Sequence, residues 1–115
     1  MSAEIAYLLR LSSPGAKELK TTAVDVFGSA TKFTSQLTSE YSRKGFAAYN
    51  NSNSASGEVL WGGSDLTEAN GIPIPKGAMV DIPIAYAPNA TDNVDVYFCN
   101  TVSGEIGNLR VVEIA

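Results

Sequence analysis

At 115 residues, 44% hydrophobic and 17% charged, the chain has the length of one domain and enough apolar material for a packed core, which argues against disorder. Its net charge of −4, with scattered Lys and Arg, argues against a nucleic-acid partner, and no apolar run approaches the roughly 20 residues of a membrane span. Cys99 is alone, so no intramolecular disulfide is possible, and the absence of histidine removes the commonest general base and metal ligand.

In chain order, the start Met-Ser-Ala-Glu lacks the basic region of a signal peptide, so folding in a cytoplasm is expected. Ile5, Tyr7, Leu9 and Leu11 alternate with Glu4, Ala6, Leu8 and Arg10, the period of a strand with one apolar face. A helix competes, because Ala, Glu and Leu are good helix formers, and Ser12-Ser13-Pro14-Gly15 ends the element either way. Residues 1–14 are therefore either an edge strand of the domain or an extended arm that pairs with a neighbour. Residues 21–27 are β-branched and alternating, with Val24 and Val26 on one face. After Gly28-Ser29, residues 31–38 set Phe33, Ser35 and Leu37 against Lys32, Thr34 and Gln36, which predicts a half-buried strand. Tyr41-Ser42-Arg43-Lys44 reads as a solvated basic turn. Residues 45–49 form another strand, and residues 50–57, Asn-Asn-Ser-Asn-Ser-Ala-Ser-Gly, an exposed polar loop.

The stretch from Glu58 to Gly77 carries the densest turn chemistry. A short strand over 59–61 stops at Gly62-Gly63. Ser64 and Asp65 are expected to hold a tight excursion by bonding nearby backbone N–H groups, and Asn70-Gly71 to supply positions tolerant of positive φ. Ile72-Pro73-Ile74-Pro75 is unfit for a central strand, because each proline lacks a ladder donor. Lys76-Gly77 turns into a strand over 78–84. A loop over 85–93, a strand over 94–99 and a turn over 100–108 follow. Residues 109–114 close the chain, with Leu109, Val111 and Glu113 facing one way. About eight short strands and no helix predict an all-β fold: a single two-sheet β-sandwich over 1–115, of jelly-roll or related Greek-key type, with a closed small barrel as the alternative.

The residues for chemistry are sparse. Gly62-Gly63-Ser64 lacks the spacing and the lysine of a phosphate loop, and Asp92, Asn93 and Asp95 lack the spacing of a calcium hand. No catalytic residue, metal site or cofactor is expected. Cys99 reads as a small buried hydrophobe beside Phe98. The aromatics mostly occupy inward strand positions. Trp61 and Tyr86 sit at strand ends and Tyr41 in a turn, where amphipathic rings serve contact surfaces or stack on sugars. With Ile5, Tyr7, Leu9 and Leu11, these are the candidate partner-binding residues.

From Gly45 onward the chain resembles a module of small structural proteins of tailed-bacteriophage virions. The likeness is carried by Tyr49-Asn50-Asn51-Ser52, by Val59-Leu60-Trp61-Gly62-Gly63-Ser64-Asp65-Leu66-Thr67 and by Asn70-Gly71-Ile72. Further along it is carried by Pro75-Lys76-Gly77, Val96-Tyr97-Phe98 and Leu109-Arg110-Val111-Val112-Glu113. The resemblance implies a β-sandwich without catalytic residues that sits in the virion and docks on the major capsid protein or other virion proteins. The expected role is a capsid cement or decoration subunit, assembled as a homo-oligomer with a trimer favoured. A head-fibre, tail or adaptor subunit, or a carbohydrate-binding sandwich module, are the alternatives.

Overall fold

The computed structural model describes residues 16–38, 40–52, 58–102 and 105–115. The expected segment over 5–11, with Ile5, Tyr7, Leu9 and Leu11, lies outside them. Among the described residues eight strands follow one another: β1 (Leu19–Val26), β2 (Thr31–Lys32), β3 (Gly45–Asn50), β4 (Val59–Gly62), β5 (Ile72–Ile74), β6 (Met79–Asp81), β7 (Tyr97–Asn100) and β8 (Gly107–Ile114). They form two four-stranded sheets, ordered β1-β8-β3-β6 and β2-β7-β4-β5. Every pairing is antiparallel. First pairs with last, second with seventh, third with sixth and fourth with fifth, so the chain is one long antiparallel hairpin rolled into two layers. That nesting is the jelly roll, and the expected all-β sandwich is what the chain adopts.

The core lies between the sheets. β8 sends Leu109 and Val111 inward, β3 sends Phe46 and Ala48, and the second sheet answers with Val59, Ile74 and Phe98. Phe33 links the layers, stacked on Phe46 at 5.4 Å and edge-on to Phe98 at 6.2 Å. Val26 is buried and Val24 packs beside it, as their shared parity predicted, whereas Phe27 is turned out and 45% exposed. Cys99 is buried on the far side of β7, against Leu60 and Leu66.

Several boundaries moved for identifiable reasons. The strand expected over 31–38 is a ladder for two residues only. Beyond it the half-buried positions of Phe33, Ser35 and Leu37 persist, but side chains take the backbone donors. The Gln36 N–H goes to the Glu113 carboxylate at 2.9 Å and the Thr38 N–H to Glu18 at 2.8 Å. Asn50 and Asn100, expected to open polar loops, are instead the last residues of β3 and β7 and are fully buried. Each accepts at Oδ1 from the N–H two residues on, at 3.0 Å from Ser52 and 3.1 Å from Val102. Each donates from Nδ2 to a carbonyl, Ile74 for Asn50 and Glu105 for Asn100. An asparagine that closes its own turn is satisfied without water.

The central stretch folds as a short hairpin with an excursion. β5 is an edge strand, as its proline required. The excursion is held by Asn70 rather than by Ser64 and Asp65: Asn70 accepts from the Thr67 N–H at 2.8 Å and donates to the Asp65 carbonyl at 3.0 Å. Gly77, with φ of 75°, closes a type II turn from Pro75 to Ala78. Gly71 does not use positive φ; it is needed for proximity. A Cβ there would stand 2.5 Å from Leu60 Cβ and 2.8 Å from Leu66 Cδ1. Gly71→Ala is therefore expected to cost about 1–3 kcal/mol through overpacking. Gly28→Ala, which meets nothing within 4 Å, serves as the control, with urea unfolding as the measurement.

Candidate functional site

The alternation of β8 turns Glu113 to the core side, where its side chain is fully buried. A carboxylate there must be paired and hydrogen-bonded to be tolerated. Three donors meet it: Ser35 Oγ at 2.6 Å and Arg43 Nη1 at 3.0 Å on Oε2, and the Gln36 backbone N–H at 2.9 Å on Oε1. Arg43 also donates from Nη2 to the Ile84 carbonyl at 2.8 Å. Its guanidinium lies 3.8 Å above the Phe46 ring centroid and 5.5 Å from that of Tyr86. Burial lowers the pKa of Arg43, opposed by the hydrogen bond to Glu113, by its charge and by Tyr86.

The solvated basic turn expected at Tyr41-Ser42-Arg43-Lys44 is thus corrected at Arg43, whose side chain is 4% exposed. The signal was present in β8: an acid on the inward parity of an apolar strand requires a cation, and an arginine before a strand is the fitting partner. The clasp joins three parts of the chain: the end of β8, the run after β2, and the approach to β3. Ser35 Oγ and Arg43 Nη1 meet on the same carboxylate oxygen of Glu113, Oε2.

A cleft of about 190 Å³ opens beside the clasp, lined among others by Lys32, Phe33, Arg43, Tyr86, Asn93 and Asp95. Lys32 and Asp95 form a half-exposed pair at 4.0 Å, a geometry that contributes little stability. Asn93 is turned into its own loop, donating to the Ala87 carbonyl and accepting from the Ala87 N–H. Asp92 and Asp95 have no third acid, histidine or cysteine with them: among the described residues no group of three such side chains converges. Cys99 has its pKa raised by burial and by the charge of Glu68.

The candidate contact residues are dispersed. Tyr41 is 53% exposed. Tyr86 is half-buried at the cleft, and its carbonyl accepts from the Arg43 N–H at 2.8 Å, which brings the segments of Tyr41 and Tyr86 side by side. Trp61 belongs to the other sheet, opposite Phe98, and turns inward against the core. Sequence reasoning kept Ile72-Pro73-Ile74-Pro75 out of the sheet centre but did not find the edge at β1. β2 and β6 are edges of two and three residues, and β5 carries Pro73. β1 is an edge of eight residues in unbroken register with β8, without proline, and no described strand pairs with its other side.

No family model matches the chain, and no curated protein matches it. Among solved structures, one described as "Bacillus endospore appendages form a novel family of disulfide-linked pili" is similar, at 14% identity and a TM-score of 0.46. The alignment covers 84% of this chain and 85% of that one.

Proposed function

We propose that the chain is a non-enzymatic structural subunit of a tailed-phage virion, a capsid cement or decoration protein that self-associates as a trimer and docks on the major capsid protein. The observation that supports assembly is the outer edge of β1, with which no described strand pairs. An eight-residue edge without proline or bulge is a template for further pairing unless something caps it. Strand addition along it supplies affinity through main-chain hydrogen bonds. The charged groups at the Arg43 clasp are consumed in holding the fold, which fits a role without chemistry. The capsid as the docking surface rests on the resemblance of the Gly45–Glu113 motifs to virion modules.

Sedimentation of the purified chain at micromolar concentration should return a species heavier than the 12.1 kDa monomer. Particles lacking the protein should rupture at a lower temperature than intact ones. A chain that stays monomeric in solution and on the particle, together with unchanged rupture, overturns the reading.

A further inference from the structure

The cleft beside the Arg43 clasp opens where the two layers part. It is lined by residues 32–35 and 93–96, next to β2 and β7, and by Arg43, Phe46 and Tyr86 from the other layer. Its charges cancel: Arg43 meets Glu113 at 3.0 Å and Lys32 meets Asp95 at 4.0 Å. Net charge therefore draws in neither an anion nor a cation. The two pairs leave different amounts to a ligand. Arg43 and Glu113 are 4% and 0% exposed and serve as wall, whereas Lys32 and Asp95 are each 51% exposed. The Phe33 N–H donates to the Val96 carbonyl at 2.8 Å, which carries the β2–β7 register on to Thr34 and Asp95, both exposed. An ammonium that only donates, a carboxylate that only accepts and a hydroxyl that does both thus line one cleft. Its apolar wall includes Tyr86, half-buried, and Val94, at 64% the most exposed large apolar side chain among the described residues.

We propose that this cleft binds one neutral sugar ring, with its hydroxyls on Lys32, Asp95 and Thr34 and its apolar face on Tyr86 and Val94. A sugar matches the lining in three respects. It carries no charge. Each of its hydroxyls both donates and accepts, so neighbouring hydroxyls engage Asp95 and Lys32 at once. The C–H groups on one face of its ring are apolar and pack on a tyrosine, whose ring is apolar and whose tip is polar. The cleft volume of about 190 Å³ equals that of roughly six waters. That suffices for one ring and falls below the roughly 300–1,000 Å³ of larger ligands, so a glycan enters by its terminal ring. Of the rings expected to stack on sugars, Trp61 turns to the core and Tyr41 stands outside the lining, which leaves Tyr86. Asn93 belongs to the scaffold: both ends of its amide are held in its own loop, which fixes the start of the run that carries Val94 and Asp95. The site is independent of the virion reading and uses no part of β1.

Nuclear magnetic resonance on the isotope-labelled full chain tests it. The probes are the methyl glycosides of glucose, galactose, mannose and N-acetylglucosamine at millimolar concentration. At least one should move the amide signals of Thr34, Tyr86, Val94 and Asp95 in a saturable way. No shift with any of the four, or shifts confined to residues outside the cleft, overturns the proposal. Tighter binding of galacturonate than of the galactoside overturns the neutral ligand. Asp95→Ala removes the carboxylate from a half-exposed pair, so the fold is kept. Affinity should fall about tenfold or more, the worth of a hydrogen bond to a charged group. Lys32→Ala, on the other side of the pair, should show a comparable fall and decides the matter if Asp95→Ala shifts the urea midpoint. Unchanged affinity in a folded variant of either kind overturns the site.

Discussion

Replacing Arg43 by alanine is expected to lower the unfolding free energy by about 3–5 kcal/mol, because it leaves a buried, ionised partner without its cation. Glu113 has no exposed side-chain surface to which the charge can escape, and among the described residues Ser35 and the Gln36 N–H remain as its donors. The loss also removes a flat group stacked on Phe46 and the bond to the Ile84 carbonyl that ties in the segment before Tyr86. Against a total stability of about 5–15 kcal/mol, such a loss shifts the urea midpoint by a large fraction of its value. The double replacement Arg43→Met with Glu113→Leu is the informative control. A buried ion pair exchanged for apolar groups of similar volume is often neutral, so the double variant should recover most of the loss while leaving the Gln36 N–H to find another acceptor. If Arg43→Ala alone costs less than about 1 kcal/mol, the range of an exposed pair, the clasp is not the buried element described above.

Phe98→Ala should be comparably severe, at about 3–5 kcal/mol, by opening a cavity at the centre of the core. Phe98 is 1% exposed, lies between Thr31 and Trp61 across β7, and receives the edge-on contact of Phe33. Because Phe33 also stacks on Phe46, which carries Arg43 above it, the cavity adjoins the clasp. Phe98→Leu, which keeps most of the volume, should cost about 1–2 kcal/mol. Equilibrium unfolding of both variants gives the comparison. Residues this close share partners, so the costs of Phe98→Ala and Arg43→Ala combined should depart from additivity by about 0.5 kcal/mol or more.

The sequence by itself determined the class of fold and most of its elements, because both are written in short-range patterns. Alternation with period two places Val24 and Val26, or Leu109, Val111 and Glu113, on one face whatever the sheet order. The prolines of Ile72-Pro73-Ile74-Pro75 confine that stretch to an edge for want of donors, and the Lys76-Gly77 turn follows from the one residue at ease with positive φ.

What only the tertiary structure decided are the relations between residues far apart in the chain. Arg43 looked like part of a solvated turn until β8 brought Glu113 to it, 70 positions away. The run after Lys32 lost its ladder because Glu113 and Glu18 took its backbone donors. Asn50 and Asn100 became buried strand ends because each side chain satisfies its own turn. Gly71 is required by the Leu60 and Leu66 side chains beneath it rather than by its own backbone. Among the described strands β1 is an edge only once β8 has taken one side of it, since an edge is a property of strand order and no local pattern encodes strand order.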